Sequence, residues 1–122
     1  LEVNMRAPGG YIPDKMNYAY DVDVYQIWAE SLLFNENRSF PDYKFKYYVT
    51  HFGRTNGVEY MHTPAEVTQR FGGRVVLEKE PPKVLTGPMG SHIFLLRSET
   101  IEELYEQANF ILIHSDGQGG WV

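Results

Sequence analysis

The sequence contains no cysteine. That excludes a disulfide scaffold, a cysteine-ligated zinc site and a thiol nucleophile, and it accords with a cytoplasmic location. A basic stripe is missing too: Lys44 and Lys46 stand among aromatics, and the formal net charge is −5. Nucleic-acid contacts need clustered Lys and Arg to neutralise phosphates, so no nucleic-acid partner is expected. No apolar run reaches the length of a membrane span, so no membrane is expected either. The first residues, Leu1-Glu2-Val3-Asn4-Met5-Arg6, lack the basic region and apolar core of a signal peptide. They also lack an initiator Met, and the chain reads as a piece of a longer polypeptide. Internal repeats and low-complexity segments are absent as well.

What is present is 43% hydrophobic residues in a chain of 122. That suffices for a real core in one domain, or in a small domain plus part of another. Residues 1–5 alternate apolar and polar, the pattern of a strand with one buried face. Pro8-Gly9-Gly10 breaks it and opens a loop to Pro13. Asp14 is placed to cap a short helical turn over residues 15–20, and Asp21 or Asp23 to cap a longer helix ending near Phe34. Val24, Ile27, Trp28, Ser31 and Leu32 line one face of that helix, and Tyr25, Ala29 and Leu33 widen it. A stripe so broad predicts burial on more than one side. The polar, Pro-bearing stretch 35–42 reads as a linker.

Residues 43–52 are dense in aromatic and β-branched side chains and predict a strand. Arg54-Thr55-Asn56-Gly57 predicts a turn, with 58–61 returning as the second strand of a hairpin. Thr63-Pro64 starts a helix that stops at Gly72-Gly73. Residues 74–79 and 91–97 read as strands. Thr100 with Glu103 forms a capping box for a helix over 101–113, with Ile101, Leu104, Tyr105, Ala108, Ile111 and Leu112 at helical spacing. The tail from Ser115 to Gly120 is expected to be loose. The sum is an α+β chain in two parts: residues 1–36, a strand, loop and helix, and residues 37–122, a small mixed sheet with two helices.

On a strand, Glu2, Asn4 and Arg6 share one face. A carboxylate and an amide oxygen are hard ligands suited to Mg²⁺. An Arg two residues on offers a fork for phosphate or carboxylate. Gly9 and Gly10 let backbone N–H groups approach an anion closely. The bland reading is a half-exposed strand with an inconsequential Glu2–Arg6 ion pair. Two glycines beside a strand end weigh against it.

The run Leu-Glu-Val-Asn-Met-Arg-Ala-Pro-Gly-Gly resembles the Glu-x-Asn-x-Arg-x-x-Gly-Gly signature near the end of the ATP-grasp domain. The likeness is to the branch that holds carbamoyl-phosphate synthase large subunits, biotin carboxylase and L-amino acid ligases. It covers residues 1–34, where the stretch 17–33 is similar to the helix after that strand, and extends loosely into the later units. The resemblance implies an ATP-dependent ligase that activates a carboxylate as an acyl phosphate for attack by an amine. It implies that Glu2 bridges two Mg²⁺ (or Mn²⁺) ions on ATP, that Asn4 ligates one of them, and that Arg6 holds the transferred phosphate as the catalytic residue. Gly9 and Gly10 then bring backbone donors to the substrate. Met5 stands where many relatives have Pro. The family's upstream acidic ligand, phosphate loop and adenine pocket have no counterpart in these residues. The resemblance therefore implies that this piece is inactive alone and is partnered by the rest of its own polypeptide.

Other motifs read blandly. His51, His62, His92 and His114 show no metal-ligand spacing on a helix. Ser91 and His92, as strand neighbours, point apart and do not form a nucleophile–base pair. Gly53-Arg54-Thr55-Asn56-Gly57 lacks the Gly-Lys-Ser/Thr ending of a phosphate loop. Thr86 to Ser91 fits a loop before a strand, and in an enzyme shaped like biotin carboxylase it would face the active site. Tyr18, Tyr20, Tyr25 and Trp28 are candidates for packing between domains or for self-association, a homodimer included. A second reading is therefore a stand-alone α+β binding or regulatory module, and a third is a dimerisation domain within a parent. In both of these the leading Glu-Asn-Arg run is fortuitous.

Overall fold

The structure, a computed structural model, describes residues 8–36, 38 and 44–120. Among these the chain forms five α-helices and three strands. It divides into two compact units, residues 1–46 and 47–122.

In the first unit, Gly10 at φ 65° turns the chain into helix α1 (Ile12–Tyr20). Pro13 fits because the first turn of a helix has no use for its missing N–H. Tyr11 occupies the N-cap position, and Asp14 lies inside the first turn rather than capping it. Asp23 caps α2 (Val24–Phe34), accepting from the backbone N–H of Tyr25 and of Gln26, both at 3.0 Å. Its rival Asp21 instead takes the left-handed conformation that ends α1 and pairs with Lys46 at 2.8 Å. Helix α2 contains no buried residue. The broad burial predicted for it is not met: Trp28 is 39% and Leu32 68% exposed.

In the second unit, β1 (Tyr48–Arg54), β2 (Val75–Lys79) and β3 (His92–Ser98) form an antiparallel sheet in the order β1-β3-β2. The sheet expected to be mixed is therefore wholly antiparallel. The hairpin after β1 does not form, because β1 pairs with distant β3, Arg54 opposite His92. Residues 58–61 contribute only an isolated bridge, Tyr60 to His114. Helix α3 (Pro64–Phe71) carries a complete capping box between Thr63 and Glu66. A one-turn helix, α4 (Thr86–Met89), precedes β3. In α5 (Ile101–Leu112), Thr100 accepts from Glu103 N–H, while the Glu103 carboxylate accepts from Glu99 N–H at 2.7 Å. The two helices expected in this unit are α3 and α5, with α4 added. The tail is not loose: Gly120 N–H donates to Leu112 O, and Ile113 bridges Gly119.

The core gathers Phe52, Val67, Phe94, Leu96, Ala108 and Ile111 from β1, β3, α3 and α5. As the central strand, β3 also buries Ile93 and Leu95 on its other face. One buried polar side chain is fully occupied: Gln107 accepts from Ser98 Oγ at 2.8 Å and donates to Arg97 O at 3.0 Å.

Candidate functional site

Glu2, Asn4 and Arg6, the predicted metal and phosphate ligands, lie outside the described residues. Gly9 and Gly10 are described, and both are exposed. Gly10 needs to be glycine because its φ is positive. Gly9 has no such need. Nothing lies within 4 Å of where a Cβ would stand, and its φ is not in the left-handed range. Among the described residues, packing and backbone geometry do not account for the second glycine.

A different set of polar side chains converges in the second unit. A groove of about 340 Å³ opens at the carboxyl end of β1, walled by the 55–64 segment and the start of β3. Pairing of β1 with β3 sets Arg54 beside His92. The loop before β3 is drawn onto β1 at a glycine pair. A Cβ on Gly90 would stand 2.8 Å from Gly53 Cα, and Ser91 N–H and Oγ donate to Arg54 O at 2.6 and 2.9 Å. Across the groove, Met61 N–H donates to Ile113 O at 2.9 Å and Ser115 N–H to Glu59 O at 2.8 Å. These bonds hold Tyr60, whose hydroxyl accepts from Thr55 N–H at 2.8 Å and closes the turn.

Arg54 is the most unusual side chain here, only 5% exposed. Its Nε and Nη2 donate to one carbonyl oxygen, Ile111 O in the last turn of α5, at 2.9 and 2.8 Å. The guanidinium lies 4.6 Å from the Tyr60 ring centroid and 5.4 Å from that of Phe94. Burial lowers its pKa from the usual arginine value, while Tyr60 and Glu78 act in the opposite direction.

The imidazoles are placed from below. His62 stacks flat on Phe110, 3.7 Å between centroids and 5° between planes. His92 Nε2 is 3.0 Å from Glu78 Oε1, and Glu78 Oε2 accepts from Thr68 Oγ1 at 2.7 Å. Ser91 is committed to Arg54 O, so Ser91 and His92 do not form a nucleophile–base pair. Among the described residues no group of three His, Asp or Glu is placed to hold a metal ion.

Sequence reading took Arg54 for a turn residue and the histidines for scattered ones. Arg54 meets His92 through the β1–β3 pairing and His62 is held by Phe110 of α5, and no local spacing encodes either contact. A second hollow of about 290 Å³ lies behind, lined by Glu59, His114 and Asp116 among others. Among the described residues no helix is long and apolar enough to cross a membrane. Comparison with protein-family models, with curated proteins and with solved structures finds no match.

Proposed function

We propose that the chain is the carboxy-terminal part of a cytoplasmic ATP-dependent carboxylate–amine ligase of ATP-grasp type, contributing part of a Mg–ATP site. The support is the run Glu2-x-Asn4-x-Arg6-x-x-Gly9-Gly10. The observation that carries the reading furthest is Gly9, a glycine for which packing among the described residues shows no need. Close approach of an anionic ligand to the backbone is a reason for it.

The donor set suits the group. The Glu2 carboxylate and the Asn4 amide oxygen are hard ligands for Mg²⁺, which when bound neutralises charge on the ATP phosphates. In this reading a substrate carboxylate oxygen attacks the γ-phosphorus, ADP leaves, and an acyl phosphate forms. An amine then attacks the acyl carbon, phosphate departs, and the nitrogen gives up a proton. Arg6 holds the transferred phosphoryl group through both steps, and Gly9 and Gly10 present backbone N–H donors to the substrate.

Calorimetric titration with MgATP tests this, with the chain beside the longer polypeptide expressed from its complete gene. Heat from the longer protein and none from the 122-residue chain is expected. Tight binding by the chain alone, or silence from both, overturns the reading. In the longer protein Glu2→Gln should lower turnover on the order of 100-fold or more, as loss of a transition-state charge contact does. The second reading, a binding module, draws on one observation: residues 47–122 have their own core and their own groove.

A further inference from the structure

We propose that the groove at the end of β1 binds a small organic oxyanion, a molecule bearing a phosphate or a carboxylate, with Arg54 as its counter-charge. The site lies wholly within residues 47–122 and does not depend on the leading run.

The first ground is an uncompensated charge. Arg38, Arg70 and Arg74 are partly exposed, and each pairs with glutamate: Glu36, Glu106, and Glu99 with Glu103. Arg54 is far more buried, yet no carboxylate among the described residues comes within ion-pair distance of it. Among those residues its side-chain hydrogen bonds all go to one neutral carbonyl, Ile111 O. A buried cation is ordinarily matched by an acid. The end of α5 offsets part of the charge, but a helix carboxyl end carries only about half an elementary charge. Glu78 at longer range and the rings of Tyr60 and Phe94 offset a further part, which leaves the guanidinium without a directly paired acid.

The second ground is access. Arg54 lines the groove, and among the described residues Nη1 makes no hydrogen bond. With Nε and Nη2 committed to Ile111 O, the group is fixed in orientation, and Nη1 offers N–H donors end-on. Such a group binds an oxyanion without having to be ordered first.

The third ground is the lining. Polar residues line the groove beside Arg54: Thr55, Asn56, His62 and His92, with Ser91 donating to Arg54 O. His62 lines the groove, is clamped on Phe110 and makes no hydrogen bond among the described residues. Glu66 and Glu78 are the carboxylates nearby, hydrogen-bonded to Thr63 and to Thr68 and His92, and an anion is drawn to the Arg54 side of the groove rather than to theirs. At about 340 Å³ the groove exceeds a bare phosphate and sits at the small end of ligand sites, roughly 300–1,000 Å³. An organic group carrying the anion therefore fits best, with Val58 and Pro64 as its apolar contacts.

The test is an amide NMR titration of the 122-residue chain with phenyl phosphate, with benzoate, and with phenol as the neutral control. Saturable shifts confined to residues 54–63 and 91–92 are expected for one or both anions and not for phenol. Response to both assigns an oxyanion site in general, and response to phenyl phosphate alone narrows it to phosphates. Arg54→Gln should weaken binding at least tenfold, but it also removes the tie to α5. Asn56→Asp leaves that tie in place and adds a like charge at the exposed mouth of the groove. It too should weaken binding at least tenfold with the fold unchanged. No saturable shift with either anion, an equal response to phenol, or unaltered binding by Asn56→Asp overturns the proposal.

Discussion

At Gly53 and Gly90 two stretches of backbone touch where any side chain would intrude. A Cβ on Gly53 would collide with the Met89 carbonyl oxygen, and one on Gly90 would stand 2.9 Å from Arg54 O. Neither neighbour is a flexible side-chain tip, so relief requires the backbone to move. Gly53 has an ordinary φ, and its conformation would tolerate alanine. Gly53→Ala therefore isolates the close approach from backbone strain, and it should destabilise the fold by about 1–3 kcal/mol, the usual penalty of overpacking. Urea denaturation checks this, with an unchanged slope expected because the surface exposed on unfolding is the same. The same change should loosen the loop that ends in Ser91, and with it one wall of the groove. A Gly53→Ala protein as stable as the wild type would mean that the crossing is looser than it stands here.

Among the elements, α3 was fully legible and β1 was not, and the reason is physical. The start of α3 is written in four adjacent residues. Thr63 Oγ1 accepts from Glu66 N–H at 3.3 Å, and the Glu66 carboxylate accepts from Thr63 N–H at 2.7 Å and from its hydroxyl at 2.9 Å. Thr63→Ala should cost about 0.5–2 kcal/mol in thermal or urea unfolding, as loss of an N-cap does. Those hydrogen bonds from the Thr63 backbone and side chain hold the Glu66 carboxyl below its ordinary pKa. A depressed carboxylate lends stability above its unfolded value of about 4.3 and loses it as pH falls through the lower folded value. The gap between wild type and Thr63→Ala should thus be widest near neutrality and shrink in acid. A constant gap would show that the carboxylate takes no part. By contrast, the aromatic density at 43–52 located a strand without its bounds, and the Asn-Gly turn suggested a hairpin. Strand β1 spans Tyr48–Arg54 and finds its partner some forty residues downstream at His92–Ser98. The groove inherits that illegibility, since Arg54 meets His92 only through this pairing and His62 joins them through Phe110 of α5. The candidate ligands Glu2, Asn4 and Arg6 were legible as a motif and lie outside the described residues.

On the scale of the whole molecule, the two units differ in how much they bury. Residues 47–122 enclose a core in which Phe94, Leu96, Val67 and Ile111 are fully buried. In the first unit α2 has no fully buried residue, and Leu33 is 75% exposed while Tyr25 is 52% exposed. Helical stability in water comes mostly from packing of an apolar face, and eleven residues fall short of the ~12–15 that an isolated helix needs even to be marginal. Hydrogen exchange should therefore separate the units. Amides at the centre of β3, around Phe94 and Leu96, should exchange only by global opening. Those of α2 should exchange far faster, through local opening that leaves the second unit intact. Repeating the measurement across protein concentration makes the outcome decisive. If α2 is protected only at high concentration, its apolar face is being covered by a second copy, and the molecule self-associates through it. If α2 is as protected as β3 at every concentration, the chain itself covers that face. The first unit would then share the stability of the second.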